Sequence, residues 1–310
     1  MKRVLHIVDS RDYIATNCFQ HQLARALPKA ANVVTMELNE VLSCRTVKDF
    51  DLVVSCLKQR TLARASSDLR VPLGSVPVVA YDQDPWEAFR DGSPYKGAYQ
   101  SIASYLNIKA FAVTTKWWAD YIAKQGMPSM FVRMWMLPEY CTSTPWFDSR
   151  PINIGFIGSL HPYRKKLFNQ LEKLGTSVTV LSGGLNYVGY LTSLSQMQCF
   201  IHSEDAPITI NDELHNLNVG LWIKDVEAAS RGCFSIRNRG SDSNTYLDGI
   251  RTVLLYDDPA EVPELLRYIQ KMNAVDRQCL INETVEYIKG ADRWQETANA
   301  LVLNSSPAKQ

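Results

Sequence analysis

Short apolar runs alternate along this chain with longer stretches whose apolar residues return every three or four positions. In the first half the short runs fall at 4–8, 32–37, 51–56, 76–81 and 110–114. Each is too short for a helix of ordinary length and reads as a buried strand of a parallel sheet. Helical spacing fills 16–27, which should stop at Pro28, and then 99–106 and 117–125. The pattern begins again after Pro151. Strands are predicted at 152–158, 177–182, 199–202, 233–236 and 252–256, and helices at 165–174, 191–198 and 263–272. The tail from 276 to 303 reads as two helical stretches parted near Gly290. Strands alternating with helices predict α/β architecture with doubly wound parallel sheets. Ligands then belong at the carboxyl ends of the strands. Residues 134–151 hold prolines at 138, 145 and 151 and few charges, which suits a crossing between domains. Residues 203–217 read as a polar, acidic loop.

A length of 310 residues leaves room for two domains. The formal net charge of +1 gives no global attraction to nucleic acid or to an anionic membrane. The basic residues of the first half, Lys58, Arg60, Arg64, Arg70, Lys116 and Lys124, form no dense cluster. No apolar run reaches the ~18 residues of a membrane span, so no transmembrane segment is expected. The apolar start soon meets Asp9, Arg11 and Asp12, so it reads as a strand and not as a signal peptide. The seven cysteines are scattered without a Cys-x-x-Cys pair, which fits reduced thiols in a cytoplasmic protein. The five histidines lack ligand spacing, and no metal site is expected. His6 and His21 sit in apolar patterns and read as core residues.

Three places carry candidate chemistry. The first is 218–236, a helix stopped by Gly232 and followed by a strand. Trp222, Ile223, Val226 and Ala229 give its apolar face, and Lys224 and Glu227 stand three apart on a neighbouring one. Such a pair suits a ligand with phosphates for the cation and hydroxyls for the carboxylate. The plain alternative is a solvated ion pair. The second place is the Gly158-Ser159 turn into a helix, with Arg164 and Lys165 following. Backbone N–H groups at such a turn suit phosphate. The third is a pair of loops at strand ends, around Asp9 to Asp12 and around Asp82 to Trp86. Asp82, with Asp84 as second choice, is a candidate catalytic carboxylate able to take a proton from a hydroxyl. Asp84 before Pro85 also suits a plain turn cap. Trp86, Phe89, Tyr95 and Tyr99, interleaved with Arg90 and Lys96, suit sugar rings or nucleobases, or equally a packed core.

Lys224, Glu227, Ala228-Ala229 and Gly232 before an apolar strand resemble the donor helix of two-domain GT-B glycosyltransferases. The nearest resemblance is to the CgeB-like, spore-maturation-type family, which has Arg where this chain has Lys224. A comparable helix occurs in the phage DNA β-glucosyltransferase, whose catalytic Asp follows a strand end like Tyr81-Asp82. The family-4 retaining transferases carry a further Glu eight residues before Glu227, where Val219 stands here. The resemblance implies a GT-B fold of two Rossmann-like domains facing a cleft. The implied parts are an acceptor-side domain at 1–145, a nucleotide-sugar domain at 150–275, and helices at 276–310 returning to the first domain. It implies a hexosyltransferase-like enzyme that moves sugar from a nucleoside-diphosphate sugar, a UDP-sugar first, to a hydroxyl of a glycan, protein or small molecule. Donor binding falls to Gly158, Ser159, Arg164, Lys165 and Lys224, with Glu227 on the ribose. Such enzymes work without a bound metal or other cofactor. Two rival readings are a glucosyltransferase acting on hydroxymethylated DNA bases and a degenerate module that only binds a nucleotide sugar.

Overall fold

The computed structural model describes residues 1–10, 18–181, 184–203, 207–216, 223–240, 246–291 and 293–303. Arg11 and Asp12 of the first predicted loop, and Val219 and Trp222 ahead of the predicted donor helix, lie outside the described residues. The chain divides into two compact units.

The first unit is built on β1 (Arg3–Val8), β2 (Asn32–Glu37), β3 (Leu52–Ser55), β4 (Val78–Asp82), β5 (Ile108–Val113) and β6 (Ser129–Phe131). They form one parallel sheet in the order β2-β1-β3-β4-β5-β6. The helices between them are α1 (Cys18–Ala30), α2 (Leu38–Ser43), α3 (Gln59–Leu73), α4 (Ala98–Tyr105) and α5 (Lys116–Lys124). The central strands are buried on both faces, as their continuous apolar runs require. α1 runs past Pro28 to Ala30, contrary to the expected stop. A proline so near the end removes little of the ladder, and the Ala31 N–H still reaches the Leu27 carbonyl at 3.1 Å.

The second unit starts at Trp135, within the stretch 134–151 that was read as a crossing between domains. Its strands β7 (Ile152–Ile157), β8 (Thr179–Leu181) and β9 (Met197–His202) alternate with α6 (Pro162–Lys173) and α7 (Tyr187–Ser195). The chain then enters β10 (Pro207–Ile210) and β11 (Glu213–Asn216), a two-stranded hairpin where a loop was expected. Residues Pro207–His215 of this hairpin belong to the first unit. α8 (Ile223–Ser230), β12 (Phe234–Asn238), β13 (Val253–Tyr256) and α9 (Val262–Lys271) continue the second unit. Its parallel sheet has the order β13-β12-β9-β7-β8.

The tail is divided between the units. α10 (Ala274–Gly290) belongs to the second: its Arg277 donates to the Ile269 carbonyl and pairs with Asp148. α11 (Arg293–Leu303) belongs to the first, where Trp294 donates to Gln22 at 2.9 Å and Thr297 to the Arg133 carbonyl at 2.6 Å. In each sheet the strand order reverses once, between β1 and β3 and between β7 and β9. Those reversals open a crevice at the strand carboxyl ends, where ligands bind in such sheets.

Candidate functional site

At the reversal in the second unit, β7 is followed by Gly158 with φ at +146°, a conformation that favours glycine. A Cβ there would lie 3.2 Å from the Phe156 ring and 3.4 Å from Lys224 Nζ. The missing side chain therefore lets the α8 lysine come down onto the turn. Lys224 Nζ stands 6.0 Å from the centroid of the Phe156 ring, and the Arg164 guanidinium is 5.1 Å from it. Arg164 is buried and spans the crevice: it donates to the Ser159 carbonyl at 2.9 Å and to the Ser203 carbonyl, just past β9, at 3.2 Å. Its visible work is to brace the two loops. Pro162 opens α6, His161 provides no side-chain cap, and no acid stands in the first turn. The positive end of that helix is thus not neutralised from within. Ser159 and Lys165 are exposed.

Glu227 is not solvated as the plain alternative of an ion pair with Lys224 required. It is fully buried, and its two oxygens accept from Tyr187 at 3.1 Å and Tyr190 at 3.0 Å, both on α7. Asp225, between the two, is also fully buried. It accepts from Ser235 at 2.6 Å and Arg237 at 2.7 Å on β12, and lies 3.2 Å from His202 on β9. Burial alone would raise the Asp225 carboxyl, but Arg237, His202 and Ser235 outweigh it and hold it at about 2. The network fixes the rotation of α8 over the sheet, and so places Lys224 and Glu227. Nothing in the sequence pattern marked Asp225 or Arg237, because a buried ion pair has no spacing signature.

In the first unit Asp82 closes β4. Its carboxylate accepts from Tyr99 at 2.7 Å and from the Asp84 N–H at 2.9 Å. Burial pushes the Asp82 carboxyl up to about 7, against the two hydrogen bonds, with Asp84 and Glu87 adding repulsion. Asp84 is exposed, sits at the cap position of the 3-10 turn Pro85–Ala88, and makes no side-chain cap bond. The aromatic residues after it divide. Phe89 and Tyr99 are buried and pack edge to face at 5.3 Å, while Trp86 lies under Arg90 at 5.0 Å. His6 is buried on β1 beside Thr35, and burial lowers it to about 4, so it is a neutral core residue at neutral pH. Two of the basic residues of the first half are engaged locally: Lys116 pairs with Asp120 at 2.5 Å and Arg64 donates to Tyr95 at 3.0 Å. Among the described residues no three His, Cys, Asp or Glu side chains converge, and no helix is long and apolar enough to cross a membrane.

No family model matches the chain, and no curated protein matches it by sequence. Solved structures do. HepE from Anabaena, determined with UDP and glucose and with UDP-glucose, is similar at a TM-score of 0.64 and 12% identity, over 98% of this chain and 99% of that one. The trehalose-6-phosphate protein of E. coli bound with UDP-2-fluoro glucose is similar at 0.63 and 10% identity, over 98% of each chain. Sucrose-phosphate synthase from Thermosynechococcus elongatus is similar at 0.61 and 10% identity, over 97% of this chain and 98% of that one. These likenesses show the fold: the chain has the GT-B fold of glycosyltransferases.

Proposed function

We propose that the protein is a glycosyltransferase moving a hexose from a UDP-sugar to a hydroxyl acceptor, by an inverting reaction that needs no metal. The observation that carries the reading is the convergence of the Gly158 turn, Arg164 and Lys224 at the strand reversal of the second unit. Support comes from the same fold in proteins solved with UDP and UDP-glucose. We assign the diphosphate to Lys224 and to the amino end of α6, with Arg164 adding positive field from beneath. We assign the ribose hydroxyls to Glu227: a carboxylate offers about four acceptor positions, and the half-buried Tyr190 ring has to turn aside for a hydroxyl to reach its Oε2. As the bond from the anomeric carbon to the phosphate oxygen breaks, its electron pair leaves with UDP. Lys224 and the helix end offset that charge. The acceptor oxygen bonds to the anomeric carbon and its proton passes to Asp82. A carboxylate raised to about 7 is a better base near neutral pH than an ordinary one. The local likeness of 224–236 to the CgeB-like donor helix belongs to this reading too.

The test is UDP release from UDP-glucose, with EDTA present and sugar acceptors supplied. Asp82→Asn should lower the transfer rate by ~10² to 10⁴ while Asp84→Asn stays near wild type. Wild-type activity in Asp82→Asn removes the base assignment. A strict Mn²⁺ or Mg²⁺ requirement removes the metal-independent mechanism.

A further inference from the structure

The hairpin β10–β11 lies in sequence between Ser203 and Lys224, which border the candidate donor crevice, yet it packs as part of the first unit. Its turn residues Asn211 and Asp212 have φ of 51° and 65°, as a two-residue hairpin turn demands. Ile208 and Ile210 are buried, which seats one face of the hairpin. Asp91 fastens the tip. Its N–H donates to the Thr209 carbonyl at 2.7 Å, and its carboxylate accepts from the Asp212 N–H at 2.9 Å and from Lys96 at 2.5 Å. The hairpin is therefore a fixed wall of the first unit.

That wall stands at the catalytic end of the sheet. Asp82 is in register with Val113, the last residue of β5, and α5 starts three residues later. From Asp82 an unbroken line of contacts runs through Tyr99 to Phe89, then to Tyr121 of α5 at 5.2 Å and on to Asn211 at 3.5 Å. Trp117, half-buried in the first turn of α5, stacks on Tyr121 at 5.3 Å and 9° and meets His215 of the hairpin at 5.5 Å. Glu213 and Asn211 are exposed beside them. A partly exposed indole beside an imidazole, a carboxylate and an amide has the composition that a sugar ring requires. The flat apolar C–H face of a pyranose lies on the aromatic ring, and its equatorial hydroxyls bond the polar groups at the edge. A nucleic acid would instead need cations at this edge, and Lys96 and Lys116 are both tied to aspartates.

We propose that Trp117 and the hairpin residues Asn211, Glu213 and His215 form the acceptor-recognition surface, and that the acceptor is a saccharide. The proposal rests on the transferase reading and deepens it by naming the acceptor class. In the transfer step a saccharide hydroxyl is the acceptor oxygen: it bonds to the anomeric carbon, the bond to the phosphate oxygen breaks with its electron pair leaving on UDP, and the hydroxyl proton passes to Asp82.

The experiment measures UDP release from UDP-glucose with water alone and with 4-nitrophenyl glycosides of glucose, galactose, mannose and N-acetylglucosamine. Glycosyl product is quantified in parallel, so that transfer and hydrolysis are separated. Wild-type protein should transfer to at least one glycoside. Trp117→Ala, and separately the exposed-edge double variant Glu213→Ala/His215→Ala, should lower the ratio of transfer to hydrolysis at least tenfold. Trp117→Phe should restore most of it, which a loss of folding would not allow. Hydrolysis without transfer to any glycoside overturns the saccharide assignment. A ratio unchanged in both variants overturns the surface. Calorimetry of wild-type protein with UDP-glucose keeps the two levels apart: no donor binding removes the transferase reading itself, whereas donor binding with either negative result removes only this inference.

Discussion

Replacing Asp82 by Asn should change how stability depends on pH, in a direction and by an amount fixed by its surroundings. Asn keeps the shape, can accept from the Asp84 N–H and can donate to the Tyr99 hydroxyl. Burial raises the folded-state carboxyl from 3.8 to about 7, so between those values the native chain holds a proton that the unfolded chain has released. Stability contributed by this group is complete below pH 3.8 and is lost as pH rises through about 7. The slope is about −1.4 kcal/mol per pH unit, and the full span is about 4 kcal/mol. His6 works in the opposite sense. Its folded value is lowered from 6.5 to about 4, so its contribution grows between those values and is complete above 6.5. In the wild type the two slopes nearly cancel from pH 4 to 6.5. Asp225 acts only below about 3.8, where its stabilisation is lost as pH falls toward about 2. The clean quantity is therefore the difference between Asp82→Asn and wild type, in which His6 and Asp225 drop out. Urea denaturation at half-unit steps from pH 4 to 8 should show this difference growing in favour of Asn up to about pH 7, then flattening. The exposed Asp84→Asn variant should track the wild type. A difference that does not change with pH would mean that Asp82 ionises normally, and the argument for a base tuned by burial would fail.

Two further outcomes test how the donor crevice is built. Gly158→Ala forces a side chain into a left-handed conformation against the Phe156 ring, and should lower stability by about 1–3 kcal/mol in thermal denaturation. Wild-type stability would mean that the turn is not held as described. Asp225→Ala strands Arg237 in the core and should cost about 3–5 kcal/mol in urea denaturation. A loss under 1 kcal/mol would show that the network does not hold α8.

The alternation of strand and helix was readable because each buried strand is a short run with little room for polar residues. The turn at Gly158 was readable as a Gly-Ser step from a strand into a helix, and the place of Lys224 on α8 from helical spacing, but the approach of Lys224 to Gly158 was not. The burial of Glu227 was not readable. Three-residue spacing sets an angle on a helix, and the tyrosines that cover Glu227 come from α7, thirty-seven and forty residues earlier. The hairpin was read as a polar loop, although Asn211-Asp212 between Ile208-Thr209-Ile210 and Glu213-Leu214-His215 is a turn pair flanked by alternating residues. The acidic character of 203–217 masked that alternation. The division of the tail at Arg293 was not readable, since both helices carry the same kind of apolar face and only tertiary packing assigns them.

The central claim, that the strand reversal of the second unit binds the nucleoside diphosphate of a sugar donor, is tested most directly by calorimetric titration of UDP into wild-type and Lys224→Ala protein. Removing a charged hydrogen-bond donor from the diphosphate should weaken binding by about 1.5–3 kcal/mol, or roughly tenfold to a hundredfold, in a variant that stays folded because Lys224 is only half-buried. Absence of UDP binding to the wild type, or equal affinity in the two proteins, would contradict it.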